Sequence, residues 1–460
     1  MIHKFGGTSL GSAERIAAAC AILEKASARE RLVAIVSATG GTTNALLAAA
    51  RDARRGKETL WRNSLRRLGE SHLALARSLA CPRASEIEAL VGELEMVLSG
   101  ISLLRELSER SLDAVAGFGE RLAAPIVAAA LRARGIKAVA IDARCVVRTD
   151  DRHGRATADM AATGRAARRT LAGPLSRGLL PVVTGFIASG PRGETTTLGR
   201  SGSDTTAAIL GAVLGARRIV IWTDVDGVHT ADPRMVKGTR LLPRLTYREA
   251  AELTYFGAKV LHFPAMIPAI AAQIPIVIKN SFRPAAPGSV IDAKGGGRAR
   301  GIAAVTAIRN LATVSLEGKG MVGVPGIAAR AFSAVAREKI SVLMFSQASS
   351  EQNICLVIPE EDRLSSLRAL REEFAAEIAL GRLDGVRVHG PVAAVAAVGE
   401  GMRGTPGIAA KVFSAVASAR INIEAIAQGS SEVNISFIVK DRDAGPAVAA
   451  VHRLCLSRTR

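Results

Sequence analysis

The strongest constraint on this chain is a rhythm in its first 300 residues, where short β-branched apolar runs alternate with longer Ala/Leu-rich stretches of helical period. The runs are "LVAIVSA" from Leu32, "KAVAID" from Lys137, "LLPVVTGF" from Leu179, "RIVIWTD" from Arg218 and "IPIVIKN" from Ile274. They are apolar throughout rather than alternately polar. Such strands need cover on both faces, which predicts an α/β fold with a mostly parallel sheet between helical layers. From Lys57 to Arg110 the pattern is helical almost throughout, and this insertion is expected to form a helical cap. The Gly/Pro-rich passage "SFRPAAPGSVIDAKGGGRARG" ends the region near residue 300.

Composition narrows the class. A chain of 460 residues should hold about two to four domains. Hydrophobic residues make up 48% and aromatic ones only 3%, so cores must be built from Ala, Val, Leu and Ile. No apolar run approaches the roughly 18 residues of a membrane span, and "MIHKFGG" lacks a signal-peptide layout. Five scattered cysteines without C-x-x-C spacing read as reduced thiols, and the expected location is cytoplasmic, with no membrane partner. The net charge of +20 suggests nucleic acid, yet the basic residues spread along the whole chain. Their densest cluster, Arg51 to Lys57 with Arg62, Arg66 and Arg67, has only Trp61 nearby to stack on bases. No nucleic-acid partner is expected. A positive field also suits small anionic substrates.

Beyond residue 300 the chain repeats itself. Residues 318–358 align with 399–439 without a gap, and roughly half the positions are identical. Each copy reads strand, Gly/Pro loop, helix, strand, turn, strand, helix: a βαββαβ-like unit, provided a final strand closes it. The loops GKGMVGVPG from Gly318 and GEGMRGTPG from Gly399 both contain G-x-G-x-x-G. A dinucleotide site needs an acidic residue ending the second strand, about 20 positions on, to bind ribose. Gln347 and Gln428 stand there instead, and an x-Pro-Gly insertion separates the helix from the first glycines. The loops are better suited to holding a small amino acid against helix-terminal N–H groups. The two copies, with G-x-G-M-x-G-x-P-G and Q-x-S-S-E-x-N-I, resemble ACT domains. The resemblance implies side-by-side pairing and an effector amino acid, with Gln347, Asn353, Gln428 and Asn434 as candidate contacts. Buried amides pairing with neighbouring backbone are the alternative for these four.

Three stretches carry chemistry. In "HKFGGTS" a short strand delivers Lys4 to a Gly6-Gly7 turn and a helix beginning near Ser12, an arrangement that can cradle phosphate, although it is not a Walker A loop. In "TTLGRSGSD" a helix is expected to open at Asp204 or Thr205, capped by Ser203 or Asp204, with Arg200 offering a planar fork for carboxylate. "WTDVDGVHTADPR" lacks the spacing and the final Glu of a calcium loop, and its place after a strand suits a nucleotide.

Together with "SATGGTTN", "GERLAA" and "YFGAKVLH", these motifs resemble the aspartokinase pattern of the amino acid kinase family, in order and spacing, over essentially the whole chain. "SGISLL", "QIPIVIKN" and "GEGMRGTPGIAA" are most similar to the kinase half of bifunctional aspartokinase–homoserine dehydrogenases. No dehydrogenase portion follows Arg460, so only the kinase activity is expected. The resemblance implies transfer of a phosphoryl group from ATP to the side-chain carboxylate of L-aspartate. Lys4 would neutralise phosphate charge, Asp204 would hold Lys4 or the amine, and Lys259 would be a second cation. Thr43, Glu120, Arg200 and Ser203 would bind aspartate, Glu120 facing its ammonium group. Gly6, Gly7, Thr8, Ser9, Thr223, Asp224, His229, Arg234, Lys259 and Val260 would bind ATP. No protein ligand for a metal is identified, and Mg²⁺ is expected to be held by ATP phosphates and water.

The resemblance further implies feedback through the ACT pair by threonine or lysine, threonine favoured, and a homodimer or higher oligomer. The expected division is 1–303 kinase, 304–388 first ACT domain and 389–460 second ACT domain. Two departures stand out: His229 replaces the usual Tyr of the nucleotide loop, and the Pro that normally follows His262 is shifted by one place to Pro264. Two other readings stand beside this one. They are a related kinase acting on another small acceptor, and an ATP-binding amino-acid sensor whose kinase domain has decayed.

Overall fold

A computed structural model describes residues 1–79, 84–257, 260–296, 301–347 and 352–456. It resolves into two compact units. The first is Met1–Val228, Pro243–Tyr247 and His262–Gly295; the second is His229–Leu242, Arg248–Leu261 and Gly296–Arg460.

In chain order the first unit opens with β1 (Ile2–Phe5), α1 (Ala13–Ser27) and β2 (Val33–Val36). Helices α2 (Thr42–Arg54), α3 (Glu58–Ser78), α4 (Ala84–Leu104), α5 (Glu109–Ala116) and α6 (Phe118–Ala133) follow. Next come β3 (Ala138–Ile141), α7 (Met160–Ser176), β4 (Leu180–Thr184) and a hairpin of β5 (Ile187–Ser189) and β6 (Thr195–Thr197). Then come α8 (Gly202–Leu214), β7 (Ile219–Thr223) and β8 (Arg244–Thr246). Helix α9 (Tyr247–Tyr255) lies mostly in the second unit, and α10 (Ile267–Ala271), β9 (Ile276–Asn280) and β10 (Ser289–Asp292) complete the first.

Eight of these strands form one sheet in the order β3-β4-β2-β1-β7-β9-β10-β8, with only the β9–β10 pair antiparallel. All five apolar runs lie in it. Strand β1 is central, with Lys4 in register with Ile35 of β2 and Ile221 of β7. The chain leaves β1 toward β2 and returns on the other side as β7. That reversal opens a crevice at the carboxyl ends, where α/β folds bind ligands.

The helical insertion does not stand off as a cap. Trp61, Leu65 and Leu68 recur at helical spacing on α3 and share one core with Ile87, Leu94, Phe5, Ala34 and Val36. The stretch Glu109–Ala133 is long and apolar enough to cross a membrane, more than the sequence runs suggested. However, 83% of its apolar window is buried inside the protein, as befits a core helix.

The second unit carries the repeat. The first copy comprises β11 (Ala304–Glu317), α11 (Ile327–Arg337), β12 (Met344–Gln347), β13 (Asn353–Pro359), α12 (Arg363–Glu373) and α13 (Ala375–Ala379). The second comprises β14 (Gly385–Val398), α14 (Ile408–Ser418), β15 (Ala425–Gln428), β16 (Asn434–Lys440) and α15 (Ala444–Leu456). The six strands make a single antiparallel sheet, β12-β13-β11-β14-β16-β15. A final strand closes the first copy, where Gly385–His389 of β14 follow its last helix, whereas the second copy is closed by the opening residues of β11 and not by a strand of its own among the described residues, which corrects the expectation for that copy. Ala304–Ile308 of β11 pair with Ala394–Val398 in the second copy, whereas Thr313–Glu317 pair with Gly385–His389 in the first. Both long strands serve both copies, because neither copy alone can cover its own sheet edge. Strand β14 therefore runs through position 388. The glycines of the repeated loops permit close backbone packing: a Cβ on Gly318 would lie 2.6 Å from the Leu383 Cα.

Candidate active site

A cavity of about 520 Å³ opens at the carboxyl ends of β1 and β2. Of the sequence-predicted residues, Lys4, Gly7, Thr8, Thr43, Glu120, Ser203 and Asp204 line it. They come from five separate elements. Lys4 is the third residue of β1, and its Nζ lies 2.6 Å from Asp204 Oδ1 on the first turn of α8. Both side chains are about nine-tenths buried. That oxygen has no aligned hydrogen-bond donor, so the contact is Coulombic.

The turn before α8 differs from expectation. The helix begins at Gly202, and Ser201 precedes it with a left-handed φ of 54° and no side-chain cap. Neither Ser203 nor Asp204 caps the helix, because the tight turn places both inside its first turn. Helix α2 also starts without a side-chain cap, behind Gly41 at φ 82°. Gly41 and Gly202 both line the cavity, so two sets of orphan N–H groups and two positive helix ends meet at one opening. Phe186, also in the wall, is a second non-glycine residue at positive φ, 68°. Backbone strain of this kind gathers at functional sites.

Glu120 sits on the first turn of α6 and is 3% exposed. Its Oε1 accepts the Ala38 N–H at 3.1 Å, while Oε2 has no partner. Burial pushes its pKa up to about 8, against the smaller opposing effects of the Ala38 hydrogen bond and the Lys4 charge. Gly7 is required where it stands, because a Cβ there would lie 2.9 Å from the Ala38 carbonyl oxygen. The Gly6-Gly7 turn and the Ser37–Gly41 loop therefore touch backbone to backbone.

Other predicted residues lie elsewhere. Arg200 is exposed and does not line the cavity, although Gly199 and Ser201 on either side do. The hypothetical Cβ of Gly6 would lie 3.6 Å from Lys4 Nζ. Ser9 turns away and shares a 2.7 Å hydrogen bond with Ser281. Thr223 ends β7 and donates through Oγ1 to Asp224 at 3.1 Å. Those two belong to the first unit, whereas His229, Arg234 and Val260 belong to the second. His229 Nδ1 is 3.3 Å from Thr239 Oγ1, and exposed Arg234 pairs with Asp232 at 2.7 Å. Lys259 lies outside the described residues. Among the described residues no group of three His, Cys, Asp or Glu side chains is placed to hold a metal.

Gln347 and Gln428 end the two edge strands β12 and β15, and both are exposed. The equivalent asparagines differ. Asn353 Nδ2 is 3.5 Å from Glu317 Oε1, whereas Asn434 donates to Glu252 of α9 at 2.9 Å.

The amino acid kinase family profile matches residues 1–280, and an ACT domain profile matches 314–374 and 395–454. Aspartokinase 3 of Arabidopsis thaliana is 36% identical over 461 residues, covering 98% of this chain and 80% of that protein. The chain belongs to the amino acid kinase family. Within it, the chain groups with the aspartokinases. A bifunctional aspartokinase/homoserine dehydrogenase of A. thaliana is 37% identical over 473 residues, covering 100% of this chain but 51% of that protein. The chain thus spans about half the length of such bifunctional relatives. Escherichia coli aspartokinase III, solved in complex with lysine and aspartate, superposes with a TM-score of 0.83 at 31% identity, covering 99% of both chains. The same enzyme with aspartate and ADP gives 0.80.

Sequence reasoning missed a residue of the cavity wall and several that brace loops elsewhere in the first unit. Thr39 lines the cavity and is hydrogen-bonded to His72 of α3 at 3.1 Å. Buried Asp113 of α5 accepts from Thr197 N–H and Oγ1, from Gly154 N–H and from His153 Nδ1, tying the end of β6 to the His153–Gly154 turn that precedes α7. Asp226 accepts from Asn280 at 2.8 Å and so braces the loop that follows β7. A lone buried Asp or His on a helical stripe carries no local signature.

Proposed function

We propose that this chain is an aspartate kinase that makes 4-phospho-L-aspartate and ADP from L-aspartate and ATP. The observation that carries the reading is the cavity's division of charge. At one wall a buried Glu120 leaves Oε2 free for an ammonium group. At the other, Lys4 and the uncapped starts of α2 and α8 offer positive charge and N–H donors to carboxylate and phosphoryl oxygens. An amino acid with a second carboxylate spans those two ends. Transfer between two anions needs their charge balanced and their reacting atoms held in line, and Lys4, steadied by Asp204, answers the first need. Thr43, Ser203 and Arg200 are assigned to aspartate. Gly6, Gly7, Thr8, Ser9, Thr223, Asp224, His229, Arg234, Lys259 and Val260 are assigned to ATP. Mg²⁺, carried on the ATP phosphates, supplies further charge neutralisation.

The reading continues into the repeat. We assign 1–303 to the kinase domain and 304–388 and 389–460 to two ACT domains, with feedback by threonine or lysine through Gln347, Asn353, Gln428 and Asn434. E. coli aspartokinase III with bound lysine supports an amino-acid effector, while likeness to the bifunctional relatives favours threonine. Phe345 and Ile426 are half-exposed on the edge strands, which supports homo-oligomer formation through the ACT pair. A cytoplasmic location accords with the free thiols of Cys20, Cys145 and Cys355.

Hydroxylamine trapping of the acyl phosphate tests the activity, with ATP–Mg²⁺ and L-aspartate, glutamate or acetylglutamate supplied separately. Hydroxamate from aspartate alone is expected. None from any acceptor, with ATP still bound, overturns the proposal.

A further inference from the structure

The Ser37–Gly41 loop is held from two sides at adjacent residues. Ala38 donates its N–H to Glu120, and Thr39 is hydrogen-bonded to His72, which is 2% exposed on α3. The hydrogen positions follow from the partners. His72 Nδ1 lies 2.8 Å from the Leu68 carbonyl oxygen, which can only accept, so Nδ1 carries the proton. Burial lowers the pKa of this imidazole, which favours its neutral form, and Nε2 then holds a lone pair. Thr39 must therefore donate its single hydroxyl proton to Nε2. It follows that Thr42 donates in the 2.7 Å contact between the two threonine hydroxyls. The Thr39 oxygen keeps acceptor capacity only, and Thr39 lines the same cavity as Glu120, whose Oε2 is free.

We propose that His72 is a positioning residue for the amino-acid end of this site: it accepts the Thr39 hydroxyl proton and thereby fixes the Ser37–Gly41 loop that holds Glu120. The proposal rests on the aspartate kinase reading and adds to it a role for the helical insertion. His72 touches no substrate. It acts through Thr39, and its loss frees the loop residue next to the one that holds Glu120. Aspartate binding suffers while ATP binding does not.

The test is steady-state hydroxamate kinetics on wild type, Thr39→Val, Thr39→Ser, His72→Phe, His72→Gln and the double variant Thr39→Val/His72→Phe, each checked for folding by circular dichroism. Losing one buried hydrogen bond should raise the aspartate KM about tenfold in Thr39→Val and in His72→Phe, with the ATP KM unchanged. Thr39→Ser keeps the donor and His72→Gln keeps an acceptor, so both should stay within about threefold of wild type. The double variant should be no worse than Thr39→Val alone, because its two changes remove one interaction. Equal aspartate KM in Thr39→Val and Thr39→Ser overturns the proposal, and that comparison stands even if His72→Phe does not fold. Multiplying effects in the double variant, or parallel losses in both KM values, would also overturn it and leave His72 a packing residue. A wild type that forms no aspartyl hydroxamate fails the kinase reading itself and takes the proposal with it.

Discussion

Replacing Glu120 by Gln should separate two effects of one buried carboxyl group. In the folded chain its pKa rises from 4.5 to about 8, with desolvation the largest cause. Between those values the native state keeps a proton that the unfolded chain has released. Stability therefore falls as pH rises, by about 1.4 kcal/mol per unit, on the order of 5 kcal/mol in all by pH 8. Gln cannot ionise, so this slope disappears in the variant. Urea unfolding followed by tryptophan fluorescence reads the correct region, since Trp61 and Trp222 both belong to the first unit. At pH 5 the two proteins should differ by under about 1 kcal/mol, while at pH 8 the variant should be the more stable by several. Function moves the other way. In the proposed site an ammonium group facing Oε2 would favour the ionised carboxylate, so aspartate binding to wild type should release a proton, and its KM should fall as pH rises from 6 to 8. In the variant the KM should be raised by about 100-fold, with that pH dependence lost. A wild type and variant that keep a constant stability difference from pH 5 to 8 would refute the argument, as would an unchanged aspartate KM.

Three further outcomes are expected. Lys4→Met leaves Asp204 without its cation and should lower kcat by about 10²–10³-fold in the hydroxamate assay, with a far-ultraviolet dichroism spectrum like that of wild type; a loss under about threefold would remove Lys4 from the reaction. Gly7→Ala forces a Cβ against the Ala38 carbonyl oxygen and should destabilise the first unit by about 1–3 kcal/mol and raise the ATP KM, read by urea unfolding and kinetics; wild-type values for both would contradict the close approach. Asn434→Ala removes the bond to Glu252 and should weaken inhibition by the effector amino acid about tenfold at a stability change below about 1.5 kcal/mol; inhibition at the wild-type concentration of threonine or lysine would rule out that contact.

The legible parts of this protein are those with a local signature. Continuous β-branched runs marked the five strands because a strand covered on both faces has no polar side. The Gly-rich turns marked the turn after β1 and the opening of α8 because close backbone approach leaves no room for side chains. Where the signal was weaker, the boundaries moved. Helix α8 starts two residues before Asp204 because Ser201 adopts a left-handed conformation that nothing in "LGRSGSD" demands. The helices between Lys57 and Arg110 were visible, but their burial in the main core was not, since an apolar stripe does not say what it packs against.

The sequence by itself determined the five apolar strands and the helical stretches between them, that the last third is duplicated, and which residue types are available for phosphate and carboxylate chemistry. Tertiary structure alone decided the partnerships. Lys4 meets Asp204 across 200 positions, Glu120 leaves one oxygen free in a desolvated wall, and His72 holds Thr39 from a helix that no motif includes. It also decided that β11 and β14 each serve both copies of the repeat. The physical reason is one of range. Backbone preference and burial period act over a few residues and are written locally, whereas desolvation, ion pairing and sheet closure depend on distant groups that only the packed chain brings together.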